Sequence, residues 1–178
     1  EKLSKYSKEN NCKIIFLSSS CFGKYNERKL HLNSNYQKAK KKCEDYLIEN
    51  KERGLKSVIL RVFNLYGPGQ KNGYIVSDAI SRIFKNKTKK LELYNYKNTR
   101  DFIYIDDLVK AIYNCTIYNV SNKIFEIGNG KSYSIKYIYD KIKFLLNKNI
   151  HYSYKKPYVS KLSSTKALIK INKKLFKW

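Results

Sequence analysis

No apolar run in this sequence approaches the ~20 residues needed to span a bilayer, and no signal-peptide pattern opens it. Membrane and secreted readings are thereby disfavoured. Cysteine is sparse and scattered: Cys12, Cys21, Cys43 and Cys115 form no Cys-x-x-Cys pair, and His31 and His151 are the sole imidazoles. That spacing fits neither a zinc site nor a disulfide framework, so we expect no metal and reduced thiols in a cytoplasmic protein. Arginine is also scarce. Of 38 basic residues five are arginine (Arg28, Arg53, Arg61, Arg82, Arg100). The remaining lysines run from end to end beside abundant Asn, Ile and 17 Tyr, and outweigh 14 acids to give +24. Such basicity normally points to nucleic acid or an anionic surface. Here the Lys/Asn/Tyr mixture reads as A/T-rich codon drift, because specific base readers favour arginine. Repeats and low-complexity linkers are absent.

What is present is enough for a core. The 178 residues are 42% hydrophobic, which allows one domain or a domain and a half. The chain opens on Glu1 rather than Met, so its true start is expected upstream.

Residues 13–17 (KIIFL) read as a buried strand ended by Ser18-Ser19-Ser20. Residues 35–50 carry apolar positions at helical spacing, with Ser34 placed to cap and Gly54 to end the helix. Residues 57–63 (SVILRVF) form a second buried strand before the Gly67-Pro68-Gly69 turn. Strand, helix, strand in this pattern predicts a parallel sheet covered by helices. Further on, helices are predicted over 75–84, 106–118 (capped by Asp106) and 135–146 (capped by Ser134). Strands are predicted over 91–94, 101–105 and 123–127, and a short helix near 165–171.

One arrangement can do chemistry: serines at a strand end, then Tyr36 and Lys40 one helical turn apart on the following helix. A phenol, with a pKa near ~10, is a poor base at neutral pH, and an adjacent ammonium favours its phenolate. Such a tyrosine can move a proton to or from a sugar hydroxyl, with serine holding the oxygen in line. The accompanying hydride needs a nicotinamide cofactor. Tyr-x-x-x-Lys is unspecific alone, recurring at Tyr25/Lys29, Tyr137/Lys141, Tyr139/Lys143 and Tyr152/Lys156. Those four read as surface tyrosines near surface lysines. Tyr36/Lys40 alone lies between two buried strands.

Four segments occur in order: Ser18-Ser-Ser-Cys-Phe-Gly23, Tyr36-Gln-Lys-Ala-Lys40, Leu60-Arg-Val-Phe-Asn-Leu-Tyr-Gly-Pro-Gly-Gln70 and Thr99-Arg-Asp-Phe-Ile-Tyr-Ile-Asp-Asp107. Together they resemble the extended short-chain dehydrogenase/reductase family of NAD-dependent nucleotide-sugar epimerases and dehydratases. Segments 124–130 and 166–178 resemble that family's late parts. The family's Gly-rich pyrophosphate loop lacks a counterpart here. The resemblance implies an α/β fold: the C-terminal portion of a doubly wound Rossmann-like sheet over 1–69, then a small α+β substrate-binding region over 70–178. Residues 100–130 would partly return to the sheet.

The same resemblance implies roles. Tyr36 is the acid/base, and Lys40 tunes it while bonding the nicotinamide ribose. Ser18 is the hydroxyl partner, with Ser19 and Ser20 as competitors. Phe63 touches the nicotinamide end mostly through its backbone. Asn64 contacts the nucleotide sugar near its diphosphate, and Arg100 pairs with that diphosphate, a fork geometry suited to guanidinium. For Asn64 the plain alternative is turn chemistry, and for Arg100 a surface ion pair with Asp101, Asp106 or Asp107. Asp106 and Asp107 are assigned to helix capping and dipole complementarity.

Departures from the pattern narrow the reaction. Phe22 stands where the family has tyrosine, and the loop between Gly23 and Tyr36 is short. Where the family's dehydratases carry an Asp-Glu pair, this chain has Ser19 and Ser20. Dehydration is therefore disfavoured, and 4-epimerisation of a UDP-hexose with NAD is expected in a protein that is a homodimer at full length. The rivals are a nucleotide-4-keto-sugar reductase on the same scaffold and a non-catalytic polybasic nucleic-acid-binding module. The isolated chain is expected to bind NAD poorly.

Overall fold

The computed structural model describes residues 2–22, 34–155 and 164–169. After a first helix, α1 (Lys2–Glu9), the chain enters strand β1 (Ile14–Ser19) and a 3₁₀ turn at Ser20–Phe22. Helix α2 (Asn35–Glu49) follows, and then strand β2 (Ser57–Val62). Ser34 does cap α2, its hydroxyl accepting the Gln37 N–H at 3.2 Å. A short 3₁₀ turn after α2 closes on Gly54, whose φ of +80° is the left-handed region glycine adopts without strain.

A third strand, β6 (Lys123–Ile127), completes a parallel sheet of order β1-β2-β6. Its register pairs Phe16 with Ile59 and Ser18 with Arg61, and Leu60 with Phe125. Cross-strand partners share a face, so the sheet has two distinct sides. Ile14, Phe16 and Ile59 pack on Leu47 of α2. On the other side Ile15, Val58, Leu60, Phe125 and Ile127 pack on Leu108, Ala111 and Cys115 of helix α4 (Ile105–Ile117). Both faces are covered, which is why these strands read as continuous apolar runs. Burying a side chain such as Leu60, which is 0% exposed, stabilises by about 1.5–3 kcal/mol.

The remaining elements form two smaller sheets. Strand β3 (Asn64–Tyr66) pairs with β5 (Thr99–Tyr104), and β5 pairs antiparallel with β7 (Ser132–Ser134). Strand β4 (Lys90–Leu93) pairs with β8 (His151–Tyr154) under helices α3 (Ile75–Phe84) and α5 (Ile135–Leu145).

Three expectations change. The second strand stops at Val62, opposite Ile127 at the end of β6: the Phe63 N–H makes the last bond of that ladder, to Ile127 O at 2.9 Å, and the chain then crosses to the β3-β5-β7 sheet. Helix α4 begins at Ile105 with Tyr104 in the N-cap position and no side-chain cap. Asp106 and Asp107 therefore complement the helix dipole from its first turn, and Asp106 does not cap. Residues 165–169 form no helix: Thr99 bridges Ser164, and the Thr165 N–H bonds Thr99 O at 3.2 Å.

Candidate active site

Parallel strands β1 and β2 end side by side, and a cleft of about 650 Å³ opens beyond their C-terminal ends. This is where open α/β sheets place their ligands. Ser18, Ser19 and Ser20 leave β1 on one wall, and Tyr36 and Lys40 come from the first turns of α2. Val62, Phe63, Asn64 and Leu65 form the floor where the chain changes sheets, with Gln70, Tyr74 and Phe102 closing the far side.

Tyr36 and Lys40 lie on one face of α2, with Lys40 Nζ 5.8 Å from the Tyr36 ring centre. Nζ also donates to Leu17 O at 2.7 Å and sits 4.8 Å above the Phe16 ring. The lysine is thus anchored to the end of the strand that carries the serines. Ser18 is buried, at 5% exposure, and its Oγ has no hydrogen-bond partner. A buried hydroxyl without a partner costs free energy that ligand binding can recover. Ser19 Oγ instead accepts the Cys21 N–H at 3.4 Å, within the 3₁₀ turn. Among the three serines, Ser18 is the one whose hydroxyl stands unpartnered at the cleft.

Phe63 is buried and lines the cleft, and its N–H is committed to Ile127 O. Asn64 donates its amide to Asp101 O at 2.7 Å, a strand-to-strand tie rather than turn chemistry. Five of the six expected residues therefore share one cleft.

Arg100 does not line it. The arginine lies on β5 two positions from Phe102, opposite Tyr133 on β7, and its Nη1 donates to Thr99 O at 2.9 Å. Burial lowers the pKa of its guanidinium from the usual value. Asp101, its neighbour, points to the other face of the strand: fully buried, its carboxylate accepts N–H bonds from Asn129 (2.7 Å), Gly130 (2.8 Å) and Ala167 (2.9 Å). On the same sheet face as Arg100, burial raises the pKa of the Tyr66 phenol, with the Asp107 charge adding to the effect.

The competing tyrosine–lysine pairs separate by environment. Tyr139 is buried, not on the surface, and its hydroxyl accepts from Arg82 Nη1 at 2.9 Å. Tyr137 and Lys141 share a face of α5 away from the cleft. Tyr25/Lys29, Lys156 and Gly23 lie outside the described residues.

Residues 1–128 match the NAD dependent epimerase/dehydratase family. The chain belongs to that family. It is 34% identical over 163 residues to the dTDP-4-dehydro-6-deoxyglucose reductase of Escherichia coli, covering 84% of this chain and 51% of that protein. The UDP-glucose 4-epimerase of Thermotoga maritima, solved with UDP-glucose, superposes with a TM-score of 0.82 at 25% identity, over 99% of this chain and 61% of that one. A UDP-N-acetylglucosamine 4-epimerase from Methanobrevibacter ruminantium, solved with UDP-N-acetylmuramic acid, gives 0.82 at 27% over 99% and 60%. The chain spans about half the length of the curated relative it matches. The fold of this epimerase/dehydratase member is the Rossmann-like α/β arrangement with a parallel sheet, as its motif order implied. Among the described residues no helix is long and apolar enough to cross a membrane, and no cluster of His, Cys, Asp and Glu could hold a metal.

Two further groups, outside the six expected residues, support this region: one lines the cleft and the other ties α2 to β2. Gln70 lines the cleft while its Nε2 donates to Leu65 O at 2.8 Å, which ties the Gly67–Gly69 turn back to β3. Glu44 is fully buried on α2 and receives Arg61 of β2 in a two-pronged contact. Its signal was an acid four positions after Lys40 on the face that must meet the sheet, together with an arginine inside an apolar strand.

Proposed function

We propose that this chain carries the proton-handling centre and sugar cleft of an NAD-dependent nucleotide-sugar 4-epimerase acting on a UDP-hexose. The observation that carries the reading is the buried, unpartnered Ser18 hydroxyl in one cleft with Tyr36 and Lys40. The residues present fit the nicotinamide end of a dinucleotide. Lys40 has three N–H donors, of which Leu17 O takes one, and a ribose offers hydroxyls for the others. The Phe63 carbonyl supplies a backbone contact beside it. Bound NAD would supply the hydride acceptor and donor that no side chain provides.

Tyr36 takes the proton of a ring hydroxyl as that carbon is oxidised and returns it when the carbon is reduced. Ser18 donates a hydrogen bond to the same oxygen and keeps it in line in both directions. Inversion requires the flat keto sugar to present its other face between the two transfers, and about 650 Å³ leaves a hexose room to turn. No Asp or Glu lines the cleft among the described residues, which disfavours elimination of water. Arg100, on the adjoining sheet face, is assigned to the diphosphate. The working protein is assigned as a cytoplasmic homodimer.

The likeness to the Escherichia coli reductase favours a second reading, reduction of a nucleotide-bound 4-keto sugar. Turnover of the full-length protein with UDP-hexoses, followed by product analysis and by absorbance of reduced cofactor, separates the two. An epimerase consumes none, and a reductase consumes one per product. Tyr36→Phe is expected to abolish turnover with nucleotide-sugar affinity retained; wild-type turnover in that variant removes the proposal.

A further inference from the structure

A proton relay shared between a helix and a strand works only while the two keep their spacing, since a misplacement of about 1 Å costs on the order of 10²-fold in rate. Lys40 cannot fix that spacing alone, because its ammonium hangs on a flexible four-carbon stem. Resting on the proposed role of Tyr36, Lys40 and Ser18, we infer that Glu44 and Arg61 are the positioning pair that sets the catalytic helix over the serine strand.

Tyr36, Lys40 and Glu44 occupy successive turns of one face of α2. Arg61 stands directly opposite Ser18 in the β1–β2 ladder. Arg61 Nη2 reaches Glu44 Oε2 at 2.8 Å, and Nε lies 3.2 Å and 3.3 Å from the two carboxylate oxygens. The Glu44 side chain is 1% exposed and that of Arg61 13%. A planar fork on a carboxylate fixes both distance and direction, so it pins the rotation of α2 as well as its height above the sheet. Stability is a weak reason for such a pair. Buried ion pairs are often replaced by apolar residues of similar volume with no loss, whereas removing one partner alone is costly. On β6 the residue opposite Arg61 is Glu126, itself buried, so loss of Arg61 leaves two buried acids beside the gap.

The test uses the full-length protein with NAD and its nucleotide sugar, and three variants beside Tyr36→Phe. Glu44→Gln keeps the shape and removes the charge; Arg61→Lys keeps the charge and removes the fork; Glu44→Met with Arg61→Met refills the space without polarity. Positioning predicts that all three lose about 10- to 100-fold in kcat, with KM changed less than about threefold. The double Met variant leaves Glu126 with its Leu168 N–H but without Arg61 opposite, so it is expected to fold with some loss of melting temperature while staying slow. Where a single variant fails to fold, the double variant decides. A folded double variant, or a folded Glu44→Gln, with wild-type kcat overturns the inference. Should Tyr36→Phe retain turnover, the proton-relay reading falls instead, whatever the Glu44 variants do.

Discussion

Replacing Asp101 tests how the structure is tied behind the cleft. Its carboxylate is fully buried and divides its work unequally: Oδ1 accepts the Asn129 N–H, while Oδ2 accepts those of Gly130 and Ala167. Alanine would orphan all three donors. At about 1–3 kcal/mol per buried unsatisfied group, partly offset by relief of the buried charge, the expected loss is about 3–5 kcal/mol. Asparagine keeps one acceptor oxygen. Its cheaper orientation sets the amide nitrogen at the Oδ1 position and orphans the Asn129 N–H alone; Asn129 is exposed, so water can take that donor and the cost is about 1 kcal/mol. Against a total stability of about 5–15 kcal/mol, both are measurable by urea denaturation followed by circular dichroism in the full-length protein. Amide exchange adds a local reading. Asn129 should lose protection in Asp101→Asn, and Gly130 and Ala167 as well in Asp101→Ala. Equal losses in the two variants, or both within about 0.5 kcal/mol of the wild type, would refute the reasoning from unequal oxygens.

Other perturbations give separate readings. Ser18→Ala, at an unpartnered hydroxyl, should leave the melting temperature nearly unchanged and lower kcat by about 10²-fold, since it removes a donor aimed at the reacting oxygen. A large loss of stability with normal turnover would contradict that. Gly128→Ala places a methyl 2.8 Å from Ala167 Cβ and 3.0 Å from the Asp101 carboxyl, so urea titration should show about 1–3 kcal/mol of destabilisation. Cys115 sits against the sheet, and burial pushes its thiol pKa up to about 11 from 9.0. A raised folded-state value means its contribution is complete below pH 9 and lost as pH climbs through 11. Stability measured across that window should therefore fall more steeply in the wild type than in Cys115→Ala, and parallel curves would contradict the assignment.

The elements easiest to read were those with periodicity and a cap in the sequence itself. Ser34 and Ser134 announce α2 and α5 because a serine oxygen meets the N–H three residues on, a purely local contact. Strands β1, β2 and β6 were visible as apolar runs because both sheet faces are covered. The three-residue strands β3 and β7 were not, since nothing local distinguishes Asn64–Tyr66 or Ser132–Ser134 from loop; each exists through its partner on β5. The same holds for residues 164–169, whose composition suggested a helix but whose hydrogen bonds go to Thr99, Asp101 and Glu126. In the cleft, Tyr36, Lys40 and Ser18 were legible from order along the chain. The Glu44–Arg61 contact required two elements to be brought together before it could be seen.

The pairing of β2 with β6 also bears on the order in which this molecule can be assembled. Ser57 and Asn122, at the mouth of that pairing, are 65 residues apart, so the middle strand stays open on one side until the later segment exists. At a synthesis rate of about 5–20 residues per second, the ribosome needs about 3–13 s to deliver it. During that interval Val58 and Leu60 lack the later helix and strand that cover them, and the open side of β2 carries unpaired amides, the kind of edge on which neighbouring nascent chains aggregate. Slow codons over this stretch would lengthen that exposure, and a holding chaperone would shield it, so yield depends on the timing of synthesis as well as on the finished fold.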